Sequence, residues 1–534
     1  MKLLVRQIRQ AVGESDKALM QLVAAQTGLD VSQIHSARIL RRSLDARRKQ
    51  DVHFLLTVLV DTDDAVSKRL LAEEKDRVSE YKPPQAVPLK QGMPPLKGRV
   101  VVAGLGPAGL FSALLLARNG YRPLVIERGE PVERRARAVE CYWQTGELSE
   151  ESNVMFGEGG AGTFSDGKLT SRSKDPRGEA VLQTLTEFGA PEEIRILAKP
   201  HIGTDRLRSV VSCMRREIER LGGEVFFSAK LTGIESSGGV LNRIRFVRDR
   251  ETETIECAAL VLAIGQGARD TYRMLFDAGV AMAKKPFAAG VRIEHPQSMI
   301  DNVQFGAFAG HPRLGAAEYA LSARSGERGV YTFCMCPGGS VIASASAHDE
   351  IVVNGMSDFA RSAPNANAAL VVQVKESDLE DDPLAGLRFQ KRMEQAAFIA
   401  GGKNGFAPSC TVGSFLGKRI YGFGQVEPSY RPGVTEANLK EILPEFIAKG
   451  IADGIEAFGR QMRGFDREDA VLTGVETRTS APLRILRSDT MQSVSCAELY
   501  PVGEGAGYAG GIVSAAIDGM KAAGRIIAAF APPK

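Results

Sequence analysis

The chain has 534 residues, too many for one ordinary core of about 100 to 200 residues, so its length points to two to four domains and excludes a single small binding module. Charged residues make up 25% and hydrophobic residues 44%, the balance of an average soluble globular chain, and a formal charge of +4 over this length does not by itself make a polyanion-binding surface. The 56 glycines stand well above the roughly 7% of ordinary usage, and where they fall is the first lead.

Residues 1 to 82 read in order as strand KLLVRQI, helix DKALMQLVAAQTGL, strand IHSARILRRSL, strand VHFLLTVLV and helix DAVSKRLLAEEKDRV. This is the pattern of a small α+β, ferredoxin-like module. The opening segment has no uninterrupted apolar stretch followed by a small-residue cleavage site, so it does not read as a signal peptide. Within the module, Arg41, Arg42, Arg47 and Arg48 form a basic run only partly neutralised by Asp45. It reads either as a solvated helix end or loop, or as a docking surface for RNA or an acidic partner, because phosphate contacts dominate such binding. Residues 83 to 98, PPQAVPLKQGMPPLKG, carry five prolines and two glycines, the composition of an extended linker and not of a packed element.

Residues 99 to 285 read as the first part of a nucleotide-binding domain. GRVVVAGLGPAGLFSALLLARNGYRPLVIERG is strand, tight turn, helix and second strand, with Gly104, Gly106 and Gly109 as G-x-G-x-x-G between the first strand and the helix. Gly104 permits the turn, Gly106 lets a pyrophosphate approach the backbone, and Gly109 allows close helix packing, with the helix N-terminus facing the anion. Glu127 ends the second strand, where a carboxylate accepts hydrogen bonds from ribose hydroxyls. The apolar run 100–117 approaches the lower limit of about 17 residues for a membrane span, but this motif accounts for it, and no membrane span is expected. A second glycine-dense segment, FGEGGAGTFSDGKL at 156–169, suits backbone lying close to a flat ring or a phosphate. Strands follow at GGEVFFSAKLTGIESS, VLNRIRFVRD and AALVLAIG.

Residues 286 to 470 mix short β-type runs with amphipathic helices and read as a separate substrate or cap domain. Residues 471 to 534 then return to strand, glycine-rich turn and helix. No fixed-period repeat occurs.

The segments GLGPAGLFSALLLA, FGEGGAGTFSDGKL, PFAAGVRIEHP, FCMCPGG, ETRTSAPLRI and GEGAGYAGGIVSAAIDG together resemble a bacterial family of FAD-dependent dehydrogenases, NAD(P)/FAD-dependent oxidoreductases, over nearly the whole chain. More distantly the arrangement is similar to geranylgeranyl reductase and p-hydroxybenzoate hydroxylase-type flavoproteins. The resemblance implies an α/β fold, a Rossmann-like FAD-binding domain interrupted by a mixed, β-rich α+β substrate domain. It implies FAD as cofactor, with Gly104, Gly106, Pro107, Ala108 and Gly109 on the pyrophosphate, Glu127 and Arg128 at the adenosine, and the Leu231 backbone at the adenine. Gly160, Gly162, Thr163 and Lys168 are placed near the isoalloxazine, Gly265 after its strand, and Gly503, Glu504, Gly511 and Ile512 along the ribityl chain and flavin. The family pattern has Asp where Glu504 stands. Only one sound G-x-G-x-x-G occurs, so no separate NADPH domain is expected, and the electron donor is the substrate, a quinone, another protein, or NADPH or NADH docking transiently without a Rossmann unit of its own.

Five residues stand out as candidates for the reacting end. Cys334 and Cys336 form C-x-C and in strand alternation point to one face. They read either as core packing or as a thiolate over the flavin that acts on a substrate or exchanges electrons. Arg478 reads as a clamp on a substrate carboxylate or phosphate, or equally as a structural ion pair. Glu294 and His295 form a candidate acid/base pair, against a packed histidine. Histidine and cysteine spacings fit no metal site, so no structural metal is expected. The seven irregularly spaced cysteines fit a reducing cytoplasm better than a secreted disulfide framework. The leading expectation is a cytoplasmic FAD oxidoreductase passing a hydride between a small organic substrate and the flavin. The alternatives are an RNA-associated flavoprotein and a flavin-dependent regulator without turnover.

Overall fold

A computed structural model describes residues 1–74, 76–83, 89–171, 173–418 and 422–533. At the N-terminus, β1 (Lys2–Ala11), β2 (Ser36–Asp45), β3 (His53–Asp61) and β4 (Val78–Glu80) form an antiparallel sheet in the order β2-β3-β1-β4, with helices Leu19–Thr27 and Asp64–Glu73 between strands. This is the expected ferredoxin-like arrangement. Alternation builds its core: Phe54, Leu56, Val58 and Val60 of β3 turn inward beside Leu3, Val5 and Ile8 of β1. The module's end differs from the sequence reading. The second helix, expected to run to Val78, ends at Glu73, and Val78–Glu80 pairs with β1. A three-residue strand with one buried side chain is too short to show alternation.

The next sheet carries the glycine turn. β5 (Arg99–Ala103), β6 (Leu124–Ile126), β7 (Glu224–Phe226) and the second half of β10 (Glu251–Leu262) run parallel in the order β7-β6-β5-β10. The strand Leu499–Pro501, from near the C-terminus, pairs parallel to β10. Between β7 and β10, β8 (Ala229–Ser237) and β9 (Val240–Arg248) make an antiparallel meander with the first half of β10. The sequence of β10 explains its double role: ETETIE is mostly exposed, whereas CAALVL is buried throughout, as a parallel strand covered on both faces requires. Apolar clusters lie on both faces, with helices Pro107–Arg118, Thr204–Arg220 and Ile512–Ala529 contributing to one of them.

A large insertion leaves and re-enters this unit through an antiparallel ladder of β11 (Met282–Lys284) with the segment Leu483–Ile485. It holds β12 (Phe287–Pro296), β13 (Ser322–Ser325), β14 (Arg328–Cys336), β15 (Ser340–Ala343), β16 (Val353–Met356), β17 (Asn365–Val374), β18 (Ala407–Thr411), β19 (Val434–Glu436) and β20 (Val471–Glu476). Seven of them form a sheet in the order β13-β14-β17-β12-β20-β18-β19, and β15 pairs with β16. β20 falls beyond the expected limit at 470: VLTGVE is buried between β12 and β18 and belongs to the insertion's sheet. Of the segment 83–98, residues 84–88 lie outside the described residues, and residues 89–98 differ from a free linker. The Gly92 amide donates to Ile527 O at 2.9 Å and Pro95 bridges to Ala531, so this stretch lies along the end of the last helix. Among the described residues, no helix is long and apolar enough to cross a membrane.

Candidate functional site

β5 delivers the chain into a turn that only glycine satisfies. Gly104 has φ +98°, and a Cβ there would lie 2.3 Å from Ala263 O; at Gly109 it would lie 1.8 Å from Gly104 O. These two residues therefore lock the helix Pro107–Arg118 against the turn and β10. Gly106 is different. An added Cβ would meet nothing nearer than the Gly160 Cα at 3.6 Å, an ordinary contact, so the protein itself does not require glycine there and the space belongs to whatever occupies the site. The last helix approaches the first so closely that a Cβ on Gly519 would lie 2.0 Å from Ala108 O. Residues some 400 apart in sequence thus bring two helix N-termini, at Gly106 and Gly511, to one place, and no side chain caps either of them. Uncapped N–H groups at a helix start favour an anion.

Both termini open on a cavity of about 380 Å³, within the size range of small-molecule sites. At one end stand Glu127, Arg128 and Leu231, and around the turn Gly104, Gly106, Pro107 and Ala108. Glu127 accepts backbone N–H groups from Leu105 at 2.7 Å on one oxygen and from Gly129 and Gly157 at 2.9 Å on the other. A carboxylate has about four acceptor positions, so one remains. Arg128 is a wall and not a free cation: it pairs with Glu151 and Asp270 and stacks on Phe156, 4.0 Å from the ring centroid. Burial works against its charge, but those two carboxylates more than compensate and raise its pKa.

At the far end Gly160, Gly162, Lys168, Gly265, Gly503, Glu504, Gly511 and Ile512 all line the cavity. Thr163 does not. Its hydroxyl is buried toward Gly159 without a hydrogen-bond partner, and its carbonyl accepts from Thr204; the 3-10 turn Ala161–Phe164 rotates it inward. Glu504 is half-buried, and burial pushes its carboxyl up to about 7, against the opposing influence of Lys285. Sequence reasoning passed over Gln266, whose amide donates to Arg478 O at 2.7 Å while its Oε1 is buried without a partner at the cavity wall. It lies one residue beyond Gly265, and a lone glutamine in a glycine-containing loop carries no local signal of a ligand contact.

The insertion supplies the remaining wall: Phe333, Cys334, Asn354, Glu476 and Arg478. Cys334 and Cys336 do not share a face in simple alternation. β14 shifts register between Phe333 and Cys336, so Cys334 lines the cavity while Cys336 is buried behind it. Behind them Arg292, wholly buried, donates to Glu476 at 2.8 Å, and at 2.9 Å to Asn354, Asn367 and the Cys334 carbonyl. Lys168 donates to Met335 O. Burial disfavours its charge, but Cys336, Cys334, Asp166 and Glu318 around it raise its pKa. Arg478 takes the ion-pair alternative: its guanidinium donates to Glu394, Glu350 and Ser346 at 2.7 to 3.2 Å, beside Arg269 on the same carboxylates. Little of it is left to clamp a substrate.

Glu294 and His295 do not come to the site. Both are wholly buried in β12; Glu294 accepts from Asn365 and Ser429, and His295 Nε2 meets Phe465 O at 2.8 Å. Burial lifts the Glu294 carboxyl and pushes His295 down to about 4, so they serve packing and not acid/base exchange here. The basic run is also partly spent. Arg42 lies in β2, ion-paired with Asp16, with its backbone bonded to the segment 196–198, and Arg47 is held by Asp45. Arg41 and Arg48 remain exposed.

Comparison with known proteins matches residues 97–273 to the FAD binding domain, 286–479 to the C-terminal domain of FAD-dependent proteins, and 2–61 to a domain of unknown function. An uncharacterized protein of Clostridium beijerinckii is 46% identical over 100% of both chains. The chain belongs to this family of FAD-dependent proteins. Similar solved structures include CtdE in complex with FAD, at 12% identity over 80% of this chain and 82% of that one with a TM-score of 0.31. Another is a geranylgeranyl bacteriochlorophyll reductase-like protein from Thermoplasma acidophilum, at 13% over 81% and 78% with a TM-score of 0.35. The cofactor is FAD, and the residues present fit it. The open space at Gly106 and the two uncapped helix starts suit a pyrophosphate and an electron-rich ring, Glu127 keeps one acceptor position for a ribose hydroxyl, and the orphaned Gln266 oxygen suits a ligand hydroxyl or ring N–H.

Proposed function

We propose that the protein is an oxidoreductase that passes a hydride between a small organic substrate and FAD. When bound, FAD supplies the two-electron chemistry, and the chain binds, orients and tunes charge around it. The observation that carries this reading is that one cavity is walled jointly by the glycine turns of the nucleotide-binding unit and by Phe333, Cys334, Asn354 and Glu476 of the insertion. Binding residues thus meet a second, chemically mixed surface where a substrate can lie. Lys168 and Arg292 keep positive charge beside that surface, and Glu504, with its carboxyl near 7, can hold a proton at neutral pH. NADH or NADPH would visit the site transiently, since only the G-x-G-x-x-G at Gly104 to Gly109 stands between the first strand and the helix of a βαβ unit. The seven free thiols suit a reducing cytoplasm. The test is anaerobic reduction of the bound flavin with NADH, NADPH and a panel of small alcohols, amines and acids. Rapid bleaching by one of them supports the reading; flavin that stays oxidised with all of them counts against hydride transfer.

A further inference from the structure

The cavity holds one feature that hydride transfer does not use. Two residues apart in a regular strand are separated by about 6.6 Å, twice a rise of about 3.3 Å, near the upper end of the roughly 4.4–6.8 Å that a disulfide spans between Cα atoms. β14 is not regular at this point. Its pairing with β17 shifts between Phe333 and Cys336, Cys334 has φ +41°, and the Cys336 thiol donates to the Cys334 carbonyl at 3.4 Å. A positive φ on a non-glycine residue is uncommon and costs energy, and such residues gather at functional sites. Here it turns the strand so that the Cys336 thiol folds back onto the Cys334 backbone and both cysteines sit at one bulge.

The surroundings favour a thiolate on the cavity side. Arg292 donates to the Cys334 carbonyl at 2.9 Å, and Lys168 donates to the Met335 carbonyl between the two cysteines. The Cys336 S–H, with Arg292 and Lys168 behind it, brings the Cys334 thiol down to about 5 against the cost of burial. Cys336 is correspondingly held up by its partner. Low-pKa thiols next to cations and a second cysteine are the reactive kind. Cys334 lines the same cavity as Glu504 and the start of the last helix.

We propose that Cys334 and Cys336 are a redox-active dithiol that exchanges an electron pair with FAD bound in this cavity. The step balances: the thiolate–thiol pair forms one S–S bond as one S–H bond breaks, and two electrons and one proton pass to FAD, the oxidant. The reverse step restores the dithiol. This rests on the FAD reading but not on the identity of the organic substrate.

The test is an anaerobic dithionite titration of the holoprotein after air oxidation, together with a thiol count in denaturant. Wild type takes up four electrons per FAD, two for the flavin and two for the disulfide. Of its seven cysteines, only five react before reduction and all seven after it. Cys336→Ser takes up two electrons per FAD and shows all six remaining thiols; Cys334→Ser, altered at the half-buried position, gives the same answer should the first variant not fold. Wild-type protein that retains flavin yet takes up two electrons and shows seven thiols overturns the dithiol while leaving FAD binding intact. Protein that binds no flavin overturns both.

Discussion

Gly106→Ala separates what the fold needs from what the cofactor needs. In the structure its Cβ would sit 3.6 Å from the Gly160 Cα, and Gly106 has φ −73° and ψ −176°, which alanine before a proline adopts readily. The apoprotein therefore keeps its stability within about 0.5 kcal/mol, or gains slightly because alanine restricts the unfolded chain. Cofactor binding responds differently. The methyl group fills the approach to the turn, and losing one backbone hydrogen bond to a charged phosphate costs roughly 1.5–3 kcal/mol, which is about ten- to 150-fold in Kd. Thermal unfolding of the apoprotein and a fluorescence titration with FAD read the two effects separately. Unchanged FAD affinity, or an apoprotein that no longer folds, would refute the reasoning.

Gly109→Ala should fail in the other way: its Cβ would lie 1.8 Å from Gly104 O, so the apoprotein itself loses stability, seen as a lower unfolding temperature before any FAD is added. Arg478→Met leaves Glu350 and the wholly buried Glu394 with Arg269 as the one cation still paired to them, and breaking such a buried network should cost about 3–5 kcal/mol in denaturant unfolding; unchanged stability would restore the free-clamp reading. Glu504 gives a pH signature. Its folded carboxyl titrates at about 7 and its unfolded one near 4.5, so between those values the folded apoprotein holds a proton that the unfolded chain has lost. Stability from this group is present below pH 4.5 and is lost as pH rises toward 7. Urea midpoints measured across that window should fall less steeply in Glu504→Gln apoprotein than in wild type, and identical slopes would count against the assignment.

Much of this organisation is legible in the residues because it rests on short-range rules. G-x-G-x-x-G between an apolar strand and an alanine-rich helix, alternation in β3, and Gly511 before Ile512 each fix a local conformation that tertiary packing had no reason to change. What stayed hidden depends on long-range contacts. Nothing local to Arg478 announces Glu350 and Glu394, 128 and 84 residues away. Glu294 and His295 read as an acid/base pair until β12 is buried between β17 and β20. Period-two alternation put both cysteines on one face, whereas the bulge in β14 gives one to the cavity and one to the interior. The proline-rich stretch has a linker's composition, yet Gly92 docks on the last helix because it lacks a side chain that would collide with Ala529.

The structure assembles one cavity from distant segments, in which FAD would lie with its adenosine at Glu127 and Leu231 and its ring at Glu504 and Cys334. Titrating apoprotein with FAD and, separately, with FMN tests it most directly. One FAD should bind per chain, and FMN much more weakly, because it lacks the adenosine half that the turn and Glu127 would hold. Apoprotein that takes up no FAD, or that binds FMN as tightly as FAD, would contradict it.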